Sequence, residues 1–199
     1  RKGLMNKVVI FGIDGASPKL IEQWQDELPN FKRIMKNGIY GELKSTFPPV
    51  TCPAWPCMFT GKNPGKLGIY DFTKYIPDKE QKFRINNSLD YSSSAIWKML
   101  NAHGKKVGLL NVPMTFPPQK IDNFMVCGLG SPDTMRANFA YPPDLKETLD
   151  EMVGGYEIIP LILLGVPGRE EQNLKALDEL LSKREKAARY LMQSFPWDL

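Results

Sequence analysis

KVVIFGIDG, running from Lys7 to Gly15, is a short β-rich apolar run that ends abruptly at Asp14-Gly15. It reads as a strand buried on both faces, followed by a sharp turn. Both sides of that strand carry apolar residues, so the pattern is that of a parallel sheet covered on two sides. The order of elements downstream agrees. Ser17-Pro18 is an N-cap followed by proline at the first helical position. A second helix is expected around Asn30 to Asn37, stopped by Gly38. Ile39 to Thr46 reads as a further strand. Phe47 to Pro49 break the chain, and a short helix is expected from Pro53 to Phe59.

Residues 61–91 are rich in Gly, Asn and Lys and read as a loop with a hairpin. Ser93 or Ser94 caps a helix ending near Gly104. Lys106 to Val112 and Phe124 to Leu129 read as strands, and Asp144 to Val153 as a helix. Arg169 to Gln193 is a long amphipathic helix with Leu174, Leu177, Leu181, Ala188 and Leu191 at helical spacing. Trp197 to Leu199 looks like the start of another strand. Alternating strands and helices predict an α/β fold with a mostly parallel sheet. Ligands in such folds sit beyond the carboxyl ends of the strands. That directs attention to Asp14, Thr51 and Asn111.

The length, 199 residues, suits a single domain, with a cap insertion expected around residues 131–168, where Pro and Gly are frequent and the strand-helix pattern is weakest. Hydrophobic residues at 42% and charged residues at 24% exclude a disordered chain. Pro160 interrupts the longest apolar stretch, Ile158 to Val166, which is too short for a bilayer. The net charge of +4 is spread along the chain, without the basic and aromatic interleaving of a nucleic-acid groove. Cys52, Cys57 and Cys127 are an odd set without metal-site spacing, which fits a reducing cytoplasm.

Each candidate site admits two readings. Asp14 can ligate a divalent cation, or it can form an Asx-turn with Gly15 supplying a positive φ. Pro53 in the first helical turn makes Thr51 or Cys52 the natural N-cap, so Thr51 can simply cap the helix. Its hydroxyl also faces free N–H groups that suit a phosphate. To act as a nucleophile at neutral pH it needs a cation beside it. GKNPGKL, Gly61 to Leu67, fails as a phosphate loop: three residues separate its glycines, and Leu67 stands where Ser or Thr is required. Cys52 does not fit a sulfatase signature, because Pro53 follows it directly. It remains a possible thiol nucleophile. His103, the sole histidine, sits at a helix end.

Four stretches together carry a resemblance: VIFGIDG (Val9 to Gly15), STFPPVTCPAW (Ser45 to Trp55), FTGKNPGKLGIYDF (Phe59 to Phe72) and NVPMTFPP (Asn111 to Pro118). The chain resembles the alkaline phosphatase superfamily, and within it the type I phosphodiesterase/nucleotide pyrophosphatase branch, including its phosphohydrolases and phosphomutases. The resemblance implies a three-layer α/β/α sandwich, with this chain as its N-terminal part and the sheet incomplete at the C-terminal side. It implies Asp14 as a metal ligand and Thr51 as both metal ligand and nucleophile, forming a phospho-threonine intermediate. Two divalent ions, zinc or alternatively manganese, are expected for the complete enzyme. Asn111 and Asp71 are expected on the substrate side, Asp71 lying where phosphodiesterase relatives carry an Asn. Leu67-Gly-Ile69 stands where many relatives read His-Gly-Ile, and the later Asp and His ligands are absent. The implied activity is hydrolysis of a small phosphate ester or nucleotide. The 199 residues alone are expected to be inactive. Two alternatives stand beside this: a phosphomutase, and a non-catalytic module that binds phosphate or a partner through the incomplete side.

Overall fold

The computed structural model describes residues 7–77, 82–91, 95–132, 137–160, 162 and 165–199. Seven α-helices, one short 3-10 helix at Ser88–Asp90 and five strands are assigned among them. Helix α1, Pro18–Gln23, follows Ser17 with proline at its start, although the Ser17 hydroxyl makes no capping bond. Helix α2, Pro29–Asn37, stops at Gly38. Helix α3, Thr51–Thr60, is longer than expected and is closed by Gly61 in the left-handed region. Helix α4, Pro64–Leu67, and the antiparallel pair β1, Thr73–Tyr75, and β2, Phe83–Ile85, fill the expected loop-and-hairpin region.

Helix α5, Ile96–Ala102, has Ala95 as its N-cap. Ser93 and Ser94 lie outside the described residues. Strand β3, Val107–Val112, pairs in parallel with β4, Asn123–Cys127, and β4 pairs antiparallel with β5, Ala140–Tyr141. Helix α6, Leu145–Val153, and helix α7, Glu170–Ser194, complete the chain. The class is α/β.

The core forms where β3 and β4 meet the helices. Val107, Leu109, Phe124, Met125 and Val126 are buried in it, together with Phe139, Leu149 and Tyr156 from the region read as a cap. Phe59 of α3 packs on Trp97 of α5 at 4.8 Å and on Tyr91 at 4.9 Å between ring centroids. Those contacts lock α3 onto the body of the domain through aromatic burial. The Trp97 indole finds the acceptor it needs in Gln119 Oε1, at 3.1 Å.

Three expectations change. The runs Lys7–Ile13 and Ile39–Thr46 carry no strand assignment and belong to no ladder among the described residues. Phe11 is 80% and Ile39 fully exposed. Strand propensity expresses itself only against neighbouring strands, and among the described residues the backbone of these runs meets another segment's backbone only through Val8 N–H to Asp198 C=O at 2.9 Å. Second, Thr51 is the first residue inside α3 and Val50 is its N-cap, so neither Thr51 nor Cys52 caps it. Third, α7 buries Leu180, Ala187 and Leu191, whereas Leu174 and Leu181 are exposed. Leu191 is buried as expected, but Leu180 and Ala187 take the inward places expected of Leu181 and Ala188, a shift of one residue.

Trp197 to Leu199 behave as the expected strand start, although no strand is assigned there. Asp198 and Leu199 N–H groups donate to Lys106 C=O at 2.8 and 3.2 Å, and Gly108 N–H donates to Leu199 C=O at 2.9 Å. Asp198 thus bonds Val8 through its C=O and Lys106 through its N–H.

Candidate functional site

Asp14 is brought to the start of α3. The Thr51 hydroxyl donates to Asp14 Oδ2 at 3.0 Å and lies 3.3 Å from Oδ1. The turn at Asp14-Gly15 aims the carboxylate, and Gly15 takes φ +67° there, a conformation glycine adopts without steric cost. The helix aims the hydroxyl. Asp14 is exposed and Thr51 half-buried, so solutes can reach the pair.

Sequence reading missed a third member. Trp55 Nε1–H donates to Asp14 Oδ1 at 3.2 Å. Only half of this was legible: Trp55 stands four residues after Thr51, and residues four apart share one face of a helix, but nothing local brings Asp14 to that face.

Prolines restrict what the helix start can offer. The first N–H groups of a helix lack intrahelical acceptors. Here Pro53 has no N–H, and Ala54 N–H bonds Val50 C=O at 3.0 Å. Thr51 and Cys52 keep N–H groups without an intrahelical acceptor, and of the two residues Thr51 is the one that reaches the surface. Pro56 lies inside α3 and removes one further helix bond.

Cys52 is fully buried, and its thiol donates to the Asp71 carbonyl at 3.1 Å. Burial pushes this thiol up to about 12, with the nearby Asp71 and Asp90 carboxylates adding to the effect. It is no thiolate at neutral pH, which removes Cys52 as a nucleophile. Asn86, also buried, donates to the same Asp71 carbonyl at 2.6 Å. These two bonds pin the Asp71 loop under the start of α3. The Asp71 carboxylate itself accepts from Phe72 N–H at 2.7 Å, a local turn contact.

Asn111 is engaged elsewhere. It lies at the β3 bulge with φ +54°, a left-handed conformation that Asn tolerates better than most residues. Its Oδ1 accepts from Tyr156 Oη, and its Nδ2 is buried without a partner among the described residues. Burial pushes the Tyr156 hydroxyl up to about 12.

Residues that had invited other readings have structural duties. Asn63 caps α4 by accepting from Lys66 N–H at 2.9 Å, in keeping with the failed phosphate-loop reading. His103 Nδ1 meets Met99 C=O at 2.8 Å at the end of α5. A shallow depression lined by Thr46, Phe47, Asn63, Pro64, Gly65 and Tyr70 includes neither Asp14 nor Thr51.

Asp14 and Thr51 supply hard oxygen donors to one point, and that fits one wall of a divalent-cation site. Among the described residues, no group of three or more His, Cys, Asp or Glu stands close enough to hold a metal. No helix among them is long and apolar enough to cross a membrane.

The family model for type I phosphodiesterase/nucleotide pyrophosphatase matches residues 8–198. Searches of curated proteins and of solved structures returned no match. The match spans the α/β order, the Asp14 turn and the Thr51 helix together. The chain belongs to the type I phosphodiesterase/nucleotide pyrophosphatase family, a family of phosphate-ester hydrolases within the alkaline phosphatase superfamily.

Proposed function

We propose that this chain is the part of a metal-dependent phosphodiesterase that carries its nucleophile, with Thr51 attacking phosphorus and Asp14 as a metal ligand. The contact between Thr51 Oγ1 and Asp14 Oδ2 at 3.0 Å, at the start of a ten-residue helix, carries this reading. A carboxylate alone is too weak a base to ionise a threonine hydroxyl at neutral pH. A divalent cation, zinc or alternatively manganese, supplies the charge that acidifies the hydroxyl when it is bound. Thr51 Oγ1 would bond to phosphorus as the P–O bond to the leaving alcohol breaks, the hydroxyl proton being balanced by protonation of that alcohol; water would then cleave the threonine–phosphorus ester, freeing the phosphate monoester and restoring the Thr51 hydroxyl. The Thr51 N–H group offers a hydrogen bond to a phosphoryl oxygen.

Asn111 is the proposed substrate-side amide, supported by its place at the carboxyl end of β3. Asp71 is proposed to shape the same side through its loop. Residues 1–199 are read as one domain with a cap insertion around residues 131–168, of which the described Phe139, Leu149 and Tyr156 join the core and Tyr156 bonds Asn111. The substrate is a small phosphate ester or nucleotide. A cytoplasmic home goes with this reading, supported by three free cysteines.

The test is hydrolysis of an activated aryl phosphodiester with zinc or manganese, on the protein at its natural length. Thr51→Ala is expected to lower kcat on the order of a thousandfold or more, the scale of losing a nucleophile. Undiminished turnover in that variant excludes Thr51 from the reaction. A phosphomutase of the same superfamily would pass the phosphoryl group to a second sugar hydroxyl instead of water, which product analysis distinguishes.

A second reading, a partner-binding module, is favoured by the exposed apolar run from Val8 to Ile13. Sedimentation velocity showing a stable monomer at high concentration would count against it.

A further inference from the structure

We propose that Trp55 is a positioning residue for the Asp14–Thr51 pair, fixing the rotation of the Asp14 carboxylate through its indole N–H. The inference rests on Asp14 being a metal ligand and adds a residue that this reading does not itself require. Two independent observations carry it. The first is the bond from Trp55 Nε1 to Asp14 Oδ1 at 3.2 Å, with Thr51 nearer to Oδ2. The carboxylate therefore has a different donor on each oxygen and cannot turn freely. The second is the way the ring is admitted. A Cβ built on Gly12 would stand 2.3 Å from Trp55 Cη2 and 2.8 Å from Cζ3. The indole lies flush against the backbone two residues before Asp14, in space that only glycine leaves open.

Thr51 and Trp55 are one helical turn apart on α3, so a rigid helix presents hydroxyl and indole to the same carboxylate. The locked aromatic contacts of Phe59 hold that helix. Ligating carboxylates are commonly held by such outer donors, and losing one costs about 10- to 100-fold in metal affinity or activity.

The test uses this chain with its tryptophan indoles labelled with ¹⁵N. Trp55→Phe removes the donor while keeping an aromatic ring, and it identifies the Trp55 signal among the four indoles. In Asp14→Ala, the Trp55 indole proton is expected to shift and to exchange with solvent about tenfold faster, the scale of one hydrogen bond. An unchanged signal overturns the proposal. Mn²⁺ is then titrated, and the concentration that half-broadens signals near Asp14 is read in the wild type, in Trp55→Phe and in Gly12→Ala. Gly12→Ala keeps the donor but displaces the ring. Both variants are expected to need about 10- to 100-fold more Mn²⁺, with their β3 and β4 amide signals in place. A midpoint equal to wild type in Trp55→Phe, or no wild-type broadening, overturns it. Thr51→Ala separates the two ideas: full turnover in that variant ends the reading of Thr51 as nucleophile, while the indole result still stands or falls by Asp14→Ala.

Discussion

At the scale of single residues, the surroundings of Thr51 sort reactive groups from inert ones. Thr51 and Cys52 are neighbours with opposite fates, because the helix turns one toward Asp14 and the other into the core. Burial raises the Cys52 and Cys127 thiols to about 12, so both stay protonated through neutral and mildly alkaline pH. Cys57 is only partly buried and its thiol is raised to a smaller extent, again by burial. Iodoacetamide at pH 8, followed by peptide mass mapping, is expected to label Cys57 before the other two. Cys52 and Cys127 should react only on unfolding or as the pH nears their raised values. Prompt labelling of Cys52 in the native protein would reopen the thiol reading.

Between elements, the junction of β3 with β4 shows how a local backbone departure is accommodated. Asn111 bulges out of register with φ +54°, and its carbonyl then presses on the chain just after β4. A Cβ on Gly128 would stand 2.2 Å from Asn111 C=O, a backbone atom that cannot swing aside. Gly128 is thus the counterpart of the bulge. Gly128→Ala is expected to destabilise the fold by about 1–3 kcal/mol, as overpacking does, seen as a lower urea midpoint. An unchanged midpoint would mean the strands can separate there at no cost. Helix α3 teaches a related lesson. Its start could be read from the prolines to within two residues, but proline also allows positions inside the first turn, so the cap fell on Val50.

Over the whole molecule, packing is uneven. The body around β3, β4, α5 and α6 is closed, whereas Val8 to Ile13 and Ile39 to Leu43 lie open. Local stability follows buried contacts and paired backbone groups. Amide exchange is therefore expected to be fast at Val9 to Ile13 and slow at Leu109, Leu110, Met125 and Val126. Equal protection of the two sets would show that the first run is laddered after all. The class of fold, the positions of most helices, the central strands and the pairing of Asp14 with Thr51 as candidates were all legible in the sequence. The elements follow from local periodicity and turn chemistry, whereas the pairing of Asp14 with Thr51 was implied by the family resemblance that the four stretches carry together. Three things were decided only by tertiary structure: whether an apolar run finds strand partners, which edge of α7 faces inward, and which side chain steadies Asp14. Each depends on neighbours distant in sequence, and a strand run or a tryptophan looks the same on the page whether or not such a neighbour arrives.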